Sequence, residues 1–188
     1  TFAEWAKVPG IEVPPCFIIV CQNTAISKLV YEYVSGFERT DENGDTTVPH
    51  FGSLALFRNY DETTGNRLPR PNTILIDSQQ LESGDALDKD FREAASAEIE
   101  SFRRDLIERT GNRDAAENMT ESDLLRAVMN TVGKPGQLGA RIRCVVSVSM
   151  LTEGWDARNV THILGIRAFG TQLLCEQVVG RALRRQSY

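Results

Sequence analysis

Two rhythms of apolar residues run along the chain. Cys16–Cys21 (CFIIVC), Thr73–Ile76 (TILI), residues 141–149 (RIRCVVSVS) and Val160–Ile166 (VTHILGI) are short, nearly continuous apolar runs. Such runs suit strands covered on both faces. Between them the apolar positions recur at helical spacing. Ile26, Leu29, Val30, Tyr33, Val34 and Phe37 mark one helix, and Phe91, Ala94, Ala95, Ile99, Phe102 and Leu106 a longer one. Leu124, Leu125, Val128 and Met129 mark a third, and a last helix is predicted over about 172–184. The starts carry capping signals: Gln22-Asn23-Thr24 reads as a turn with an N-cap, and Thr120-Glu121-Ser122-Asp123 as a capping box.

Strands alternating with helices predict an α/β fold. The specific expectation is a three-layer α/β/α domain over residues 16–188 with a mostly parallel central sheet. Pro9, Gly10, Pro14 and Pro15 make residues 1–15 an extended linker. In residues 38–72, Gly44, Gly52, Gly65, Pro49, Pro69 and Pro71 break any long element, so an irregular insertion is expected there. The glycine-rich stretch from Gly133 to Gly139 is not a phosphate-binding P-loop. That loop requires Ser or Thr after its lysine, whereas Lys134 is followed by Pro135, so a surface turn is expected.

Composition narrows the function classes. The 188 residues carry 41% hydrophobic and 25% charged side chains, the balance of one globular domain. A net charge of −5 excludes nucleic-acid binding by bulk positive charge. The charge is uneven, however. From Asp77 to Arg126 there are 14 acids and 7 bases, whereas from Val160 to Tyr188 there are four arginines and one glutamate. Cys16, Cys21, Cys144 and Cys175 form no CxxC pair and no metal-ligand cluster, so buried free thiols in a reducing cytoplasm are expected. No apolar run approaches the roughly 18 residues of a membrane span. His50 and His162 have no neighbours in sequence that imply chemistry and are expected to be ordinary surface or core residues; Trp155 is expected to pack on its own domain, with stacking on a base as the alternative.

Candidate chemistry concentrates near the C-terminus. Gln177, Gly180, Arg181 and Arg184 stand at i, i+3, i+4 and i+7, one face of the last predicted helix. Cys175, Val178, Val179 and Ala182 would be its apolar stripe. Two guanidinium forks one turn apart, with no side chain at Gly180 between them, suit a phosphate-bearing ligand. After the strand near Ser149 comes Met150-Leu151-Thr152-Glu153-Gly154-Trp155-Asp156. Gly154 lets a ligand approach the backbone, Asp156 can accept from ribose hydroxyls, and Thr152 offers a phosphate contact.

Together these segments resemble the second RecA-like domain of superfamily 2 helicases and translocases. SMLTEGWDARNV resembles motif V, Gln177 to Arg184 resembles the QxxGRxxR of motif VI, and FIIVCQNT followed by an amphipathic helix resembles motif IV. VVSVSMLTEGWDARNVTHILGIRAFGTQLLCEQVVGRALRR and TILIDSQQLESGDALD are similar to the Res subunit of type III restriction enzymes. The similarity spans most of Val8 to Arg185, is most specific from Cys144 onward, and is loose between Glu38 and Asn72.

The resemblance implies roles. Arg181 and Arg184 would be arginine fingers, and Gln177 would contact the γ-phosphate or attacking water. Gly154, Asp156 and Gly180 would bind near the nucleotide. Asn23, Thr24 and Thr152 would grip the nucleic-acid backbone. ATP, with Mg²⁺ held by a first RecA-like domain, is the implied co-substrate. DNA, duplex or single-stranded, that first domain and a modification (methyltransferase) subunit are the implied partners. No Walker A run or DExH-like motif is present, so the first domain is expected to precede Thr1 in a parent chain. No nuclease motif is present either. The 188 residues alone are therefore expected neither to hydrolyse ATP nor to cut DNA. The competing expectations are a non-catalytic nucleic-acid-binding or interaction module of the same fold, and a signalling domain using Asp77 at a strand end.

Overall fold

Four strands carry the architecture, and the connections between them decide what covers each face. A computed structural model describes residues 16–40, 47–76, 95–148, 160–166 and 176. In chain order the strands are β1 (Cys16–Cys21), β2 (Gly36–Thr40), β3 (Thr47–Phe51), β4 (Thr73–Ile76), β5 (Cys144–Val148) and β6 (Val160–Ile166). The helices are α1 (Thr24–Ser35), α2 (Ser96–Thr110), α3 (Arg113–Glu117) and α4 (Glu121–Asn130). The main sheet has the order β4-β5-β1-β6, with every pair parallel.

Successive side chains of a strand point to opposite faces, and the core divides accordingly. Cys16, Ile18 and Val20 share one cluster with Ile74, Ile76, Val145, Ile99 of α2, and Leu124, Leu125 and Val128 of α4. Ile19, Cys21, Cys144 and Val146 share the other with Val34 of α1 and Phe57. The route from β1 to β4 passes the position of β5 in one direction, and the route from β4 to β5 comes back. Same-handed connections that travel in opposite directions lie on opposite faces, as α1 and the α2–α4 segment do here. The expected α/β class with a mostly parallel sheet is therefore observed.

Local signals explain the helix ends. Asn23 Oδ1 accepts from the Ile26 amide at 2.9 Å. Thr120 Oγ1 accepts from the Asp123 amide at 3.2 Å, while the Thr120 amide donates to Asp123 Oδ2 at 3.1 Å, completing the capping box. Phe37 was expected to continue α1 but lies in β2. The helix stops at Ser35 because Gly36 turns to φ +92°, where a Cβ would meet the His50 carbonyl oxygen at 2.6 Å.

The stretch expected to be an irregular insertion is more ordered than its glycines and prolines suggest. β2 and β3 form an antiparallel hairpin, running from Gly36 opposite Phe51 to Thr40 opposite Thr47. Pro49 fits because, among the described residues, β3 pairs only with β2. Asn59 then staples the segment to the sheet. Its Oδ1 accepts from the Asn72 and Thr73 amides, both at 2.9 Å, and its Nδ2 donates to the Thr73 carbonyl at 2.8 Å and to Tyr31 Oη at 3.1 Å. The carboxamide thus replaces a neighbouring peptide group along the outer edge of β4.

Two further expectations are corrected. The run 141–149 is a strand only from Cys144, since the Arg143 and Cys144 amides both donate to the Asn72 carbonyl before the ladder begins. The glycine-rich turn is not wholly at the surface: Leu138 is buried, and a Cβ on Gly139 would meet Val128 O at 2.4 Å. Lys134 Nζ donates to the Asn130 carbonyl at 3.0 Å, satisfying an orphan acceptor at the end of α4.

Candidate functional site

In a parallel sheet every strand ends at the same edge, and that is where ligands bind in α/β folds. The ladder registers make this edge level around β1: Cys21 lies opposite Val148 of β5 and Ile166 of β6. The chain leaves β1 there into Gln22, Asn23 and Thr24, all exposed. Asn23 is committed by its Oδ1 to capping α1, and the Thr24 carbonyl accepts from Ser27 Oγ at 2.9 Å. The first turn of α1 holds no acidic side chain. The positive end of its dipole therefore favours an anion there.

Beside Thr24 opens a cavity of about 420 Å³, walled by α1, the β2–β3 hairpin and the Tyr60–Arg67 bridge. Lys28 and Glu32 of α1 and Glu38 of β2 contribute charge to it. Tyr60 is nine-tenths buried. Burial is the main cause that raises its phenol above the ordinary tyrosine range; the Glu38 charge adds to the rise and Arg67 opposes it. The hydroxyl stays protonated at neutral pH.

The remaining chemistry of the described residues is quiet. Cys16, Cys21 and Cys144 are buried free thiols. Burial pushes Cys16 up to about 12 and raises Cys144 further still. His162 stacks on Phe17 at 4.2 Å, and His50 stacks on Phe37 at 4.9 Å. Among the described residues no group of His, Cys, Asp and Glu is arranged to hold a metal ion. No helix among them is long and apolar enough to cross a membrane.

No family model, curated protein or solved structure matches the chain. The site therefore stands on its own residues. Of those singled out in the sequence, Asn23 and Thr24 lie at the strand-end edge as just described. Thr152, Gly154, Asp156, Gln177, Gly180, Arg181 and Arg184 lie outside the described residues, as do Asp77, Trp155, Cys175 and the linker 1–15. Glu176, the one described residue of the last predicted helix, is helical.

The sequence reading missed the cavity. Its walls come from α1, from Gly36 to Glu38 of β2, from Tyr60 and Arg67, and from Leu75 of β4, residues that share no periodic pattern. The available signal was the concentration of aromatic residues, Tyr31, Phe37 and Tyr60, around the stretch 38–72.

Proposed function

We propose that the chain is the second motor domain of an ATP-dependent DNA helicase or translocase, of the type III restriction enzyme Res-subunit kind, working in the cytoplasm. It would complete an ATPase site shared with a first RecA-like domain. The observation that carries this reading is the level strand-end edge around β1. The motif IV-like Asn23 and Thr24 follow β1 at that edge, and the motif V-like sequence follows β5 in the chain. A nucleic-acid grip and a nucleotide-sensing segment would then share one edge, which is what coupling hydrolysis to movement along a strand requires.

The chemistry asked of each residue is modest. Phosphoryl transfer depends on positioning and on neutralising charge at the transferring group. Arg181 and Arg184 would bring permanent positive charge to it, Gln177 would orient the water or γ-phosphate, and Gly154, Asp156 and Gly180 would seat the nucleotide. Mg²⁺ bound by the first domain would neutralise the phosphates. Thr152, Asn23 and Thr24 would hold the DNA backbone.

The test is DNA-stimulated ATP hydrolysis by the motor containing both domains. Arg184→Ala should lower kcat about 10³-fold or more, the scale of an arginine finger, with little change in the KM for ATP. An unchanged kcat overturns the arginine-finger assignment, whereas a wild-type motor with no DNA-stimulated ATP hydrolysis overturns the motor reading and leaves a non-catalytic binding module.

A further inference from the structure

We propose that the cavity between α1 and the β2–β3 hairpin holds one unpaired nucleotide of the DNA strand gripped at Asn23 and Thr24. This rests on the nucleic-acid reading above and deepens it, because it selects single-stranded over duplex DNA.

The position comes first. Thr24 forms part of the cavity wall, and Lys28, one helical turn further along α1, stands on the same wall. A backbone lying on the N-terminal end of α1 meets the Lys28 ammonium next. The side chain of Lys28 is exposed and free to follow a phosphate.

The polar inventory then defines the ligand. The hydroxyl of Tyr60 has no hydrogen-bond partner among the described residues, although the residue is only 9% exposed and lines the cavity. Tyr31, on the neighbouring wall, differs, since its hydroxyl accepts from Asn59 Nδ2. The Tyr60 oxygen is not among the buried side-chain atoms left without a partner, so it reaches solvent in the cavity, where a ligand's acceptor can take the place of water. Glu38, whose charge acts on the same phenol, is an acceptor only. The wall thus offers one donor and one acceptor near each other.

Each of the four DNA bases presents an N–H and an acceptor side by side on its Watson–Crick edge. All four can therefore be held, with no preference among them. In a duplex those edges are occupied by the opposite base, and the pairing is unavailable. A grip on any unpaired base suits an enzyme that must move along every sequence.

Charge and shape agree. Lys28 and Arg67 are balanced by Glu32 and Glu38, so the cavity is dipolar rather than cationic. A simple anion would face two carboxylates. A nucleotide has its charge at one end and neutral donors and acceptors at the other. Phe37 and Leu75 supply apolar surface for the flat face of a base. The volume of about 420 Å³ is in the range of small-ligand sites.

The experiment is a fluorescence-anisotropy titration of the 188-residue chain with a short labelled oligothymidine, with an oligodeoxyadenosine, and with a duplex of the same length, at several salt concentrations. Both single strands should bind alike and at least several-fold tighter than the duplex. Tyr60→Phe, which keeps the ring beside Gly36, should weaken single-strand binding about fivefold with the salt slope unchanged. Lys28→Ala should weaken it and lower the salt slope by about 0.7, one single-strand phosphate. Either variant binding as the wild type does, or duplex binding as tightly as single strand, overturns the cavity assignment alone. Binding of neither DNA form by the wild-type chain overturns this proposal and counts against the nucleic-acid reading as well.

Discussion

Replacing Asn59 by alanine should be strongly destabilising. Asn59 is 1% exposed and its carboxamide makes four hydrogen bonds. Two of them, to the amide and carbonyl of Thr73, are fully buried. Alanine leaves both of those peptide groups without a partner where water does not reach. A buried unsatisfied group costs about 1–3 kcal/mol, so the pair costs about 2–6 kcal/mol. Taking about 4 kcal/mol, the Tm of a domain this size should fall by about 8–16 °C. Parallel thermal and urea melts followed by far-UV circular dichroism read this directly. Asn59→Asp provides the control. It keeps the acceptor but sets a carboxylate against the Thr73 carbonyl, so its deficit relative to wild type should shrink as the pH falls and the carboxyl regains a proton. A loss of under about 1 kcal/mol in Asn59→Ala would refute the claim that this side chain closes the outer edge of β4.

Three further outcomes follow from the geometry. Gly139→Ala should destabilise the chain by about 1–3 kcal/mol, because its Cβ would sit against backbone atoms of Val128, Thr131 and Val132 that cannot step aside; a wild-type urea midpoint would contradict this. Cys16 and Cys144, held as thiols by burial, should resist a thiol reagent at pH 8 in the folded chain and react fully in denaturant, as site-resolved mass spectrometry would show. Asp123 has its carboxyl held below the ordinary aspartate range, first by the Thr120 hydroxyl and then by the Thr120 amide. Its contribution is present above the unfolded-state value and is lost as the pH falls through the folded one. Thr120→Ala should accordingly cost about 1 kcal/mol at pH 7, and less at about pH 3; a cost that grows on acidification would be the wrong sign.

Much of this molecule could be read from neighbours in the chain. The runs Cys16–Cys21, Thr73–Ile76 and Val160–Ile166 became strands with those bounds, and Asn23 and Thr120 became the caps their positions predicted. Hydrophobic periodicity and capping depend on residues a few positions apart, so a sequence window contains them. Phe37 shows the limit. Its spacing extended the helix, but the preceding Gly36 took a backbone angle that ended it. The motif-like segments were equally legible as sequence, and Asn23 and Thr24 are the members of that set whose surroundings the structure describes.

Other features had no local signature. The order β4-β5-β1-β6 follows from the direction in which each connection crosses the sheet. The two faces of β1 are equally apolar, so its own residues do not say which face α1 will cover. Asn59 reads as a loop asparagine until Tyr31, Asn72 and Thr73 are brought around it. Tyr60 and Glu38 become one wall only when the hairpin folds back beside α1. Local pattern determined which segments are strands and helices, and where most of them begin. Tertiary structure alone decided which polar groups meet, because those partners are distant in sequence and converge only once the apolar faces are buried.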